Sequence, residues 1–297
     1  MTGGCQGPGR SSAFSDEYFV VSIDLVSHTV PAPEFRPSTP FRGWLELCGV
    51  PSASGALVTS LVRPEPGNST ARPRNVTYRI GRIADLIEGR WLDLGCADGG
   101  YAAELLRQGA TEVIGVDAEQ ERVAQATARN LPHASFQVAN GEDLPFPDGH
   151  FDGVFMNEVF EHVTDEKATL REVARVLAQD GRLILISPNR WFPFEGHGMR
   201  TSFFVVGIPV PLLPWLPQSF ASRWMTARNY WPKQLVEHVE NAKLTVESCE
   251  FIWPVLEVYP WLPKYLREPY QANIRYFDQT PGLRRFGVST MVVARRG

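Results

Sequence analysis

Trp91-Leu-Asp-Leu-Gly-Cys-Ala-Asp-Gly-Gly, residues 91–100, is the stretch that decides the fold of this 297-residue chain. Its first four residues form a short, mostly apolar run, which predicts a buried strand. The small residues Gly95, Ala97 and Gly99 then predict a tight loop, and residues 101–108 predict a helix. Strand, loop and helix in this order form a nucleotide cradle, because small residues let a ligand approach the backbone and a helix N-terminus attracts anionic groups.

An acidic residue lies at the end of the next strand. Asp117 closes the apolar run 113–117, and an acid at that position can accept hydrogen bonds from both ribose hydroxyls. Two enzyme classes use this arrangement, the nicotinamide-dependent dehydrogenases and the S-adenosylmethionine-dependent methyltransferases. Residues 95–100 also fit Gly-x-Ala-x-x-Gly, the dinucleotide form of the loop, so the cradle alone leaves both classes open.

Four ordered motifs separate the two classes. They resemble the motifs of class I methyltransferases of the methyltransferase type 11 group, with Ala97 in place of the middle glycine of the first motif. Asp93 supports this resemblance, because the family has an acid there, near the methionine amino group, whereas dehydrogenases usually have an apolar residue. The motifs are Leu92–Gly99, Asn140–Asp152, Val154–Val163 and Gly181–Asn189.

The resemblance implies an α/β fold with a doubly wound, mostly parallel sheet of seven strands. The family closes this sheet with an antiparallel last strand, for which 288–294 is the candidate, and we expect an added C-terminal lobe inserted before that strand. The predicted division is an N-terminal extension over 1–75, partly disordered, and a methyltransferase domain over 76–297. Substrate-side insertions are expected at about 189–230 and 254–285.

The resemblance also implies the cofactor, S-adenosylmethionine, and the residues that hold it. The family usually has Asp at Asn140 or its neighbour, where the adenine amino group binds, so the backbone amide of Gly141 is the expected contact here. Arg79 either pairs with the cofactor carboxylate or is a solvated surface residue. The predicted cofactor-binding residues are Asp93, Gly95, Ala97, Gly99, Asp117, Gly141 and Asn157.

Glu161 and His162 are the candidate catalytic residues. They follow the fourth strand, at the predicted start of a helix and beside the expected point of methyl transfer. His162 has two interpretations: a general base that takes a proton from an acceptor hydroxyl, or a residue that packs beside a helix N-terminus capped by Glu161. An acceptor that is already a good nucleophile would need no base.

Glu158, Glu161 and His162 also match Glu-x-x-Glu-His, a motif that binds a divalent metal in some ubiquinone-pathway and small-RNA methyltransferases. Helical spacing would place the three side chains on one face, with His197 as a fourth ligand. Many relatives keep Glu-His without a metal, and carboxylates at a helix start have a sufficient structural role. We therefore predict no metal site.

Composition restricts the partners. The formal net charge of -4 provides no overall basic field for nucleic acid, so no nucleic-acid partner is expected. We expect a small-molecule or lipid-like acceptor, methylated on oxygen. The four cysteines show no CxxC spacing, so neither a zinc site nor a disulfide framework is expected. No basic-then-apolar signal pattern opens the chain, and the expected localisation is cytoplasmic or membrane-peripheral.

The apolar stretch 203–217 is too short and too rich in proline for a transmembrane helix. It has three interpretations: core of the added lobe, a pocket for an apolar acceptor, or a contact with a membrane surface. Two alternative functions are also open. One is a dinucleotide-dependent oxidoreductase, and the other is a protein that binds S-adenosylmethionine without catalysis, which the residues at Ala97 and Asn140 would allow.

Overall fold

The computed structural model describes residues 73–195, 199–200, 205–206, 210–221, 223–225, 227–254 and 263–297. The predicted N-terminal extension, apart from its last three residues, lies outside the described residues, and so does His197. Those last three residues form the first turn of a helix. The predicted boundary at residue 75 therefore falls inside this helix.

Among the described residues, seven strands form the central sheet, and each lies where the apolar runs of the sequence predict it, with its ends shifted by a few residues. The strands are β1 (Arg90–Leu94), β2 (Glu112–Asp117), β3 (Ala134–Val138), β4 (Phe151–Asn157), β5 (Leu177–Pro188), β6 (Leu244–Ile252) and β7 (Ser289–Arg296).

The strand order across the sheet is β3-β2-β1-β4-β5-β7-β6. Neighbouring strands run parallel from β3 to β5, whereas β7 runs antiparallel to both β5 and β6. This order confirms the predicted doubly wound, mostly parallel sheet with an antiparallel last strand. Because β7 runs in the opposite direction, its first residue, Ser289, pairs with Pro188 at the carboxyl end of β5.

Helices cover both faces of the sheet. The first helix ends at Ile80, followed by Gly81, a residue of low helix propensity, and a separate short turn at Ala84–Leu86. Besides a four-residue helix at Gln218–Ala221, the described helices are α1 (Pro73–Ile80), α2 (Gly100–Gln108), α3 (Gln120–Ala128), α4 (Glu166–Val176), α5 (Pro232–Asn241), α6 (Lys264–Ala272) and α7 (Ile274–Gln279).

The two faces of the sheet carry separate hydrophobic cores, because successive side chains of a strand point to opposite faces. In β4, Val154 and Met156 pack in the core that includes residues of α4 and α5. Phe155 packs in the core that includes residues of α1 and α2. Trp91 of β1 lies opposite Gly153 of β4, where an added Cβ would lie 2.4 Å from the indole ring, so this buried tryptophan requires the glycine.

Two segments extend the domain where insertions are predicted. The first lies between β5 and α5, and the second, between β6 and β7, contains α6 and α7. Asp278 of α7 accepts hydrogen bonds from Tyr78, in the last turn of α1, and from Arg82, two residues after that helix, so the second insertion packs against the end of α1. Within the described ranges, no helix is long and apolar enough to cross a membrane.

Candidate functional site

The candidate site lies at the carboxyl edge of the sheet, between β1 and β4. The strand order changes direction at this point, with β2 and β3 on one side and β5 on the other. Open α/β sheets bind their ligands in the crevice at such a switch point. The loop after β1, Asp117 at the end of β2 and Asn157 at the end of β4 all lie at this edge.

The loop after β1 has the backbone conformation of a ligand cradle. Gly95 and Gly99 both have φ of +80°, and Ala97 has φ of +46°. Ala97 therefore adopts the left-handed conformation usually reserved for glycine, at a cost of roughly 1–2 kcal/mol. The backbone N–H groups of Gly95 and Cys96 donate to the Val116 carbonyl at 2.7 and 2.9 Å, which ties the loop to β2.

Asp117 is buried and holds the same loop. Its Oδ2 accepts a hydrogen bond from the Ala97 N–H, and its Oδ1 accepts one from the Glu119 N–H, both at 3.0 Å. The guanidinium of Arg122 lies 4.0 Å from Oδ2. The carboxylate is thus fixed between the end of β2 and the loop that follows β1.

Asp93 is a buried carboxyl group with an unused oxygen. Its Oδ2 has no hydrogen-bond partner among the described residues. Burial, followed by the nearby charge of Asp117, raises the pKa of Asp93 to about 7. A buried polar atom without a partner is unfavourable, so a ligand that brings a hydrogen-bond donor or a cation to Asp93 would be stabilised.

Arg79 belongs to the site, and its interpretation as a solvated surface residue is wrong. It is 3% exposed, and its Nη1 donates to Asn157 Oδ1 at 2.5 Å and to Glu158 Oε1 at 2.9 Å. Its Nη2 donates to Ser289 Oγ at 3.0 Å. Asn157 is also hydrogen-bonded to Tyr101 of α2. A buried polar cluster therefore borders the end of β4, next to the cradle.

Ser289 was not identified from the sequence as a site residue. Its hydroxyl donates to Glu158 Oε1 at 2.5 Å and accepts from Arg79. The available signal was the direction of the last strand, because an antiparallel β7 starts at the edge where β4 and β5 end. An antiparallel final strand thus places its first residue in the site.

Glu161 and His162 lie on an irregular turn, so the predicted helix start is wrong. Residues 158–165 form turns and bends, and α4 begins only at Glu166. Glu158 has φ of +55°, which is incompatible with a helix that continues from β4. Asp165 is the N-cap, since its carboxylate accepts from the N–H groups of two residues in the first turn of α4, at 2.9 and 3.0 Å.

The two candidate catalytic side chains have different surroundings. Glu161 is buried, and one of its oxygens accepts a hydrogen bond from Ser187 Oγ, near the end of β5, at 3.2 Å. His162 is exposed, and its backbone N–H donates to the Val159 carbonyl at 2.9 Å. Arg228 of the first insertion donates to the backbone carbonyls of Glu161 and Val163, so the first insertion holds this turn in position.

The argument for a metal site required Glu158, Glu161 and His162 to lie on one face of a helix, and these residues are not helical. Glu158 forms an ion pair with Arg79 at 2.9 Å, whereas Glu161 contacts Ser187 and His162 is exposed. In the part of the chain that the structure describes, no group of three or more histidine, cysteine or acidic side chains is placed to hold a metal ion. The metal-free interpretation stays our prediction.

The predicted adenine-binding segment forms a tight turn. Asn140 Oδ1 accepts a hydrogen bond from the Glu142 N–H at 3.1 Å, so this side chain is used within its own loop. The Gly141 N–H makes no hydrogen bond with any described residue. The expectation that Gly141, rather than the Asn140 side chain, contacts a ligand is compatible with this arrangement.

Comparison with known proteins agrees with this geometry. The family model described as a methyltransferase domain matches residues 92–185, which run from within β1 to within β5. The chain is 38% identical over 140 residues to tocopherol O-methyltransferase of Arabidopsis thaliana, an alignment that covers 43% of this chain and 40% of the relative. It is 34% identical over 175 residues to demethylmenaquinone methyltransferase of Symbiobacterium thermophilum, covering 51% and 66%.

The fold has the same class of neighbours. A crystal structure of an S-adenosylmethionine-dependent methyltransferase from Mesorhizobium loti aligns with a TM-score of 0.52 at 17% identity, covering 74% of this chain and 98% of that one. This likeness shows the fold. The chain spans about half the length of the curated relatives it matches.

The family match identifies residues 92–185 as a methyltransferase domain, and the sheet order and the cradle agree with it. This confirms the resemblance predicted from the sequence and the cofactor that it implies. The relatives named above include enzymes for small-molecule substrates, an O-methyltransferase among them.

Proposed function

We propose that this protein transfers a methyl group from S-adenosylmethionine to an oxygen of a small, lipid-like acceptor. The observation that carries the proposal is the buried Asp93, whose unused oxygen faces no protein donor, beside the glycine cradle and the Asp117 carboxylate. Such a pair fits a ligand with both a cationic amino group and ribose hydroxyls.

Each site residue has a proposed part in holding the cofactor. Asp93 receives the methionine ammonium, Asp117 accepts from the ribose hydroxyls, and the Gly141 amide meets the adenine ring. Arg79 and Asn157, which hydrogen-bond to each other, border the methionine end, where the guanidinium can attract the carboxylate. S-adenosylmethionine supplies an electrophilic methyl group when bound.

The remaining work of catalysis is positioning and proton removal. The turn that carries His162 follows β4 directly and is fixed by Arg228, so an acceptor held there lies near the switch point. His162 takes the proton from the acceptor hydroxyl, and the exposure of its side chain lets that proton pass on to water. Glu161, buried and bonded to Ser187, holds the turn in place. The relative named as an O-methyltransferase supports oxygen as the accepting atom.

The oxidoreductase alternative is disfavoured by the sheet. Dinucleotide-binding folds of the Rossmann type add a sixth strand next to the fifth, in the order 3-2-1-4-5-6. Here the antiparallel β7 lies between β5 and β6. The non-catalytic alternative rested in part on Ala97, which replaces a glycine of the family's loop. This support is lost, because Ala97 keeps a left-handed backbone and its N–H donates to Asp117.

A turnover assay tests the proposal. The full chain, incubated with S-adenosylmethionine carrying a labelled methyl group and an extract of small molecules and lipids, should yield labelled product and S-adenosylhomocysteine. Mass analysis of the product then identifies the methylated atom. Product methylated on nitrogen or carbon would overturn the oxygen assignment, and cofactor binding without turnover in any extract would favour the non-catalytic alternative.

Asp117→Ala should weaken S-adenosylmethionine binding at least about tenfold, because each charge-assisted hydrogen bond to the ribose contributes about 1.5–3 kcal/mol. It should also lower the free energy of unfolding, since two backbone N–H groups lose their acceptor. Calorimetric titration and chemical denaturation measure the two effects. Asp117→Asn, which keeps one oxygen acceptor, is the control for loop stability, and unchanged affinity in both variants would remove Asp117 from the site.

The affinity for S-adenosylmethionine should rise about tenfold between pH 6 and pH 8, because Asp93, with a pKa of about 7, loses its proton in this range and then attracts the ammonium. Asp93→Asn should abolish this rise and weaken binding at pH 8. Titrations at several pH values measure both.

The stability of the unliganded protein should show the opposite dependence. The pKa of Asp93 is raised on folding, so the neutral form is favoured in the folded state, and its stabilising contribution is lost as the pH rises from about 4 through about 7. Asp93→Asn should therefore unfold at higher denaturant concentration than the parent at pH 8. An unfolding midpoint equal to that of the parent at pH 8 would contradict the claim that burial makes the charged form of Asp93 unfavourable in the folded protein.

A further inference from the structure

The first insertion exposes several large apolar side chains, although other apolar residues of the same segment are buried. Leu213, Pro214 and Ala221 are buried, so the segment is seated on the domain. The neighbouring large side chains nevertheless face outward, with 36–55% of their surface exposed. These side chains form a ridge that consists of Leu212, Trp215, Leu216, Phe220 and Trp224.

The ridge is held in a defined position. Arg190 is buried, and its guanidinium donates to the carbonyl oxygens of Pro214 at 2.8 Å and Leu216 at 2.6 Å. The Trp224 N–H donates to the Ala221 carbonyl at 2.9 Å. These hydrogen bonds hold the segment in one position, and its large apolar side chains are exposed in that position. Core packing, one of the three interpretations of the stretch 203–217, does not account for the outward side chains of Leu212, Trp215 and Leu216, and the side chains of 203–210 lie outside the described part of the chain.

The charge pattern around the ridge is unusual for this chain. Residues 196–236 contain no aspartate or glutamate, although the whole chain has a formal net charge of -4. They contain four basic residues, Arg200, Arg223, Arg228 and Lys233, of which Arg228 pairs with Glu166 at 3.2 Å and Lys233 with Glu237 at 3.6 Å. Arg223, on the ridge itself, is exposed and forms no ion pair with any described residue. A cationic segment with outward tryptophans has the chemistry of a membrane interface contact.

We infer that the ridge docks the protein on an anionic lipid surface. Tryptophan and phenylalanine enter the headgroup region, and Arg223 pairs with lipid phosphates. The contact is peripheral, and the ridge is distinct from the cofactor cradle. The inference stands independently of the methyl-transfer proposal, because it requires only the exposed ridge and the charge of its segment.

Vesicle sedimentation with the full chain tests the inference. Phosphatidylcholine vesicles with about 30% phosphatidylglycerol should carry the protein down, whereas pure phosphatidylcholine vesicles should carry much less. Phe220→Ala combined with Trp224→Ala should lower the partition coefficient at least about tenfold, and Arg223→Gln should remove most of the preference for anionic vesicles. Tyr265→Ala, which removes an aromatic side chain that is 74% exposed in the second insertion, is the matched control and should leave binding unchanged.

The affinity of each variant for S-adenosylmethionine separates docking from folding and from the proposed function. The ridge variants should bind the cofactor as the parent does. Failure of the parent to bind either vesicle would overturn the inference, and so would equal vesicle binding by the double variant. A parent that is dimeric in light scattering, with a monomeric double variant and no vesicle binding, would assign the ridge to self-association instead. If the double variant fails to fold, unchanged salt-sensitive binding by Arg223→Gln overturns the inference.

Discussion

Gly95→Val is expected to abolish S-adenosylmethionine binding and to lower the free energy of unfolding by about 2–5 kcal/mol. Gly95 has φ of +80°, a conformation that a branched side chain rarely adopts. A Cβ at this position would also lie 2.2 Å from Cγ2 of Val159, on the turn after β4. The loop would have to move away from both β4 and the cofactor position. Calorimetry and chemical denaturation measure the two losses.

A second pair of variants separates packing from cofactor contact. Gly95→Ala should clash with Val159 in the same way, and Gly95→Ala with Val159→Ala should remove most of that clash. We expect the double variant to recover stability but not affinity, because its Cβ still occupies the cradle. Full recovery of affinity would mean that Gly95 serves packing only and that the cofactor binds elsewhere.

His162→Ala is expected to lower turnover by about 10²–10⁴-fold while S-adenosylmethionine affinity stays nearly unchanged. The imidazole is the proposed acceptor of the proton, so loss of the side chain removes a group that acts only in the transition state. Steady-state kinetics and calorimetric titration with the cofactor test the prediction.

The matched control for His162 is His133→Asn, which changes an exposed histidine just before β3, at the opposite edge of the sheet. It should leave turnover unchanged. Chelators should also have no effect, whereas a metal held by Glu158, Glu161 and His162 would make turnover depend on added magnesium or manganese. Full activity in His162→Ala would indicate a positional mechanism in which the acceptor arrives already reactive.

The fold was largely predictable because its signals are local. The apolar runs around Leu92, Val113 and Val154 are continuous, as expected for strands buried on both faces, and small residues follow the first of them. The antiparallel β7 was predicted only through the family resemblance. Periodicity does not show how a strand is placed in a sheet.

The site was predictable only in part because several of its contacts are long-range. Asp93, Asp117 and Asn157 lie at strand ends, which a strand pattern locates. Arg79, however, meets Ser289 across 210 positions of sequence, and no local pattern shows whether an arginine on a short helix is buried. The predicted helix at Glu161 failed for a different reason, because Glu158 has a left-handed backbone and the helix starts only at Glu166, after its N-cap Asp165.

Calorimetric titration of the full chain with S-adenosylmethionine and, separately, with NAD tests the central claim most directly. We predict one S-adenosylmethionine site per chain, an affinity that falls at least about tenfold in Asp117→Ala, and no heat from NAD. Binding of NAD in place of S-adenosylmethionine, or no binding of S-adenosylmethionine by the unmodified chain, would contradict the assignment of this switch-point cradle.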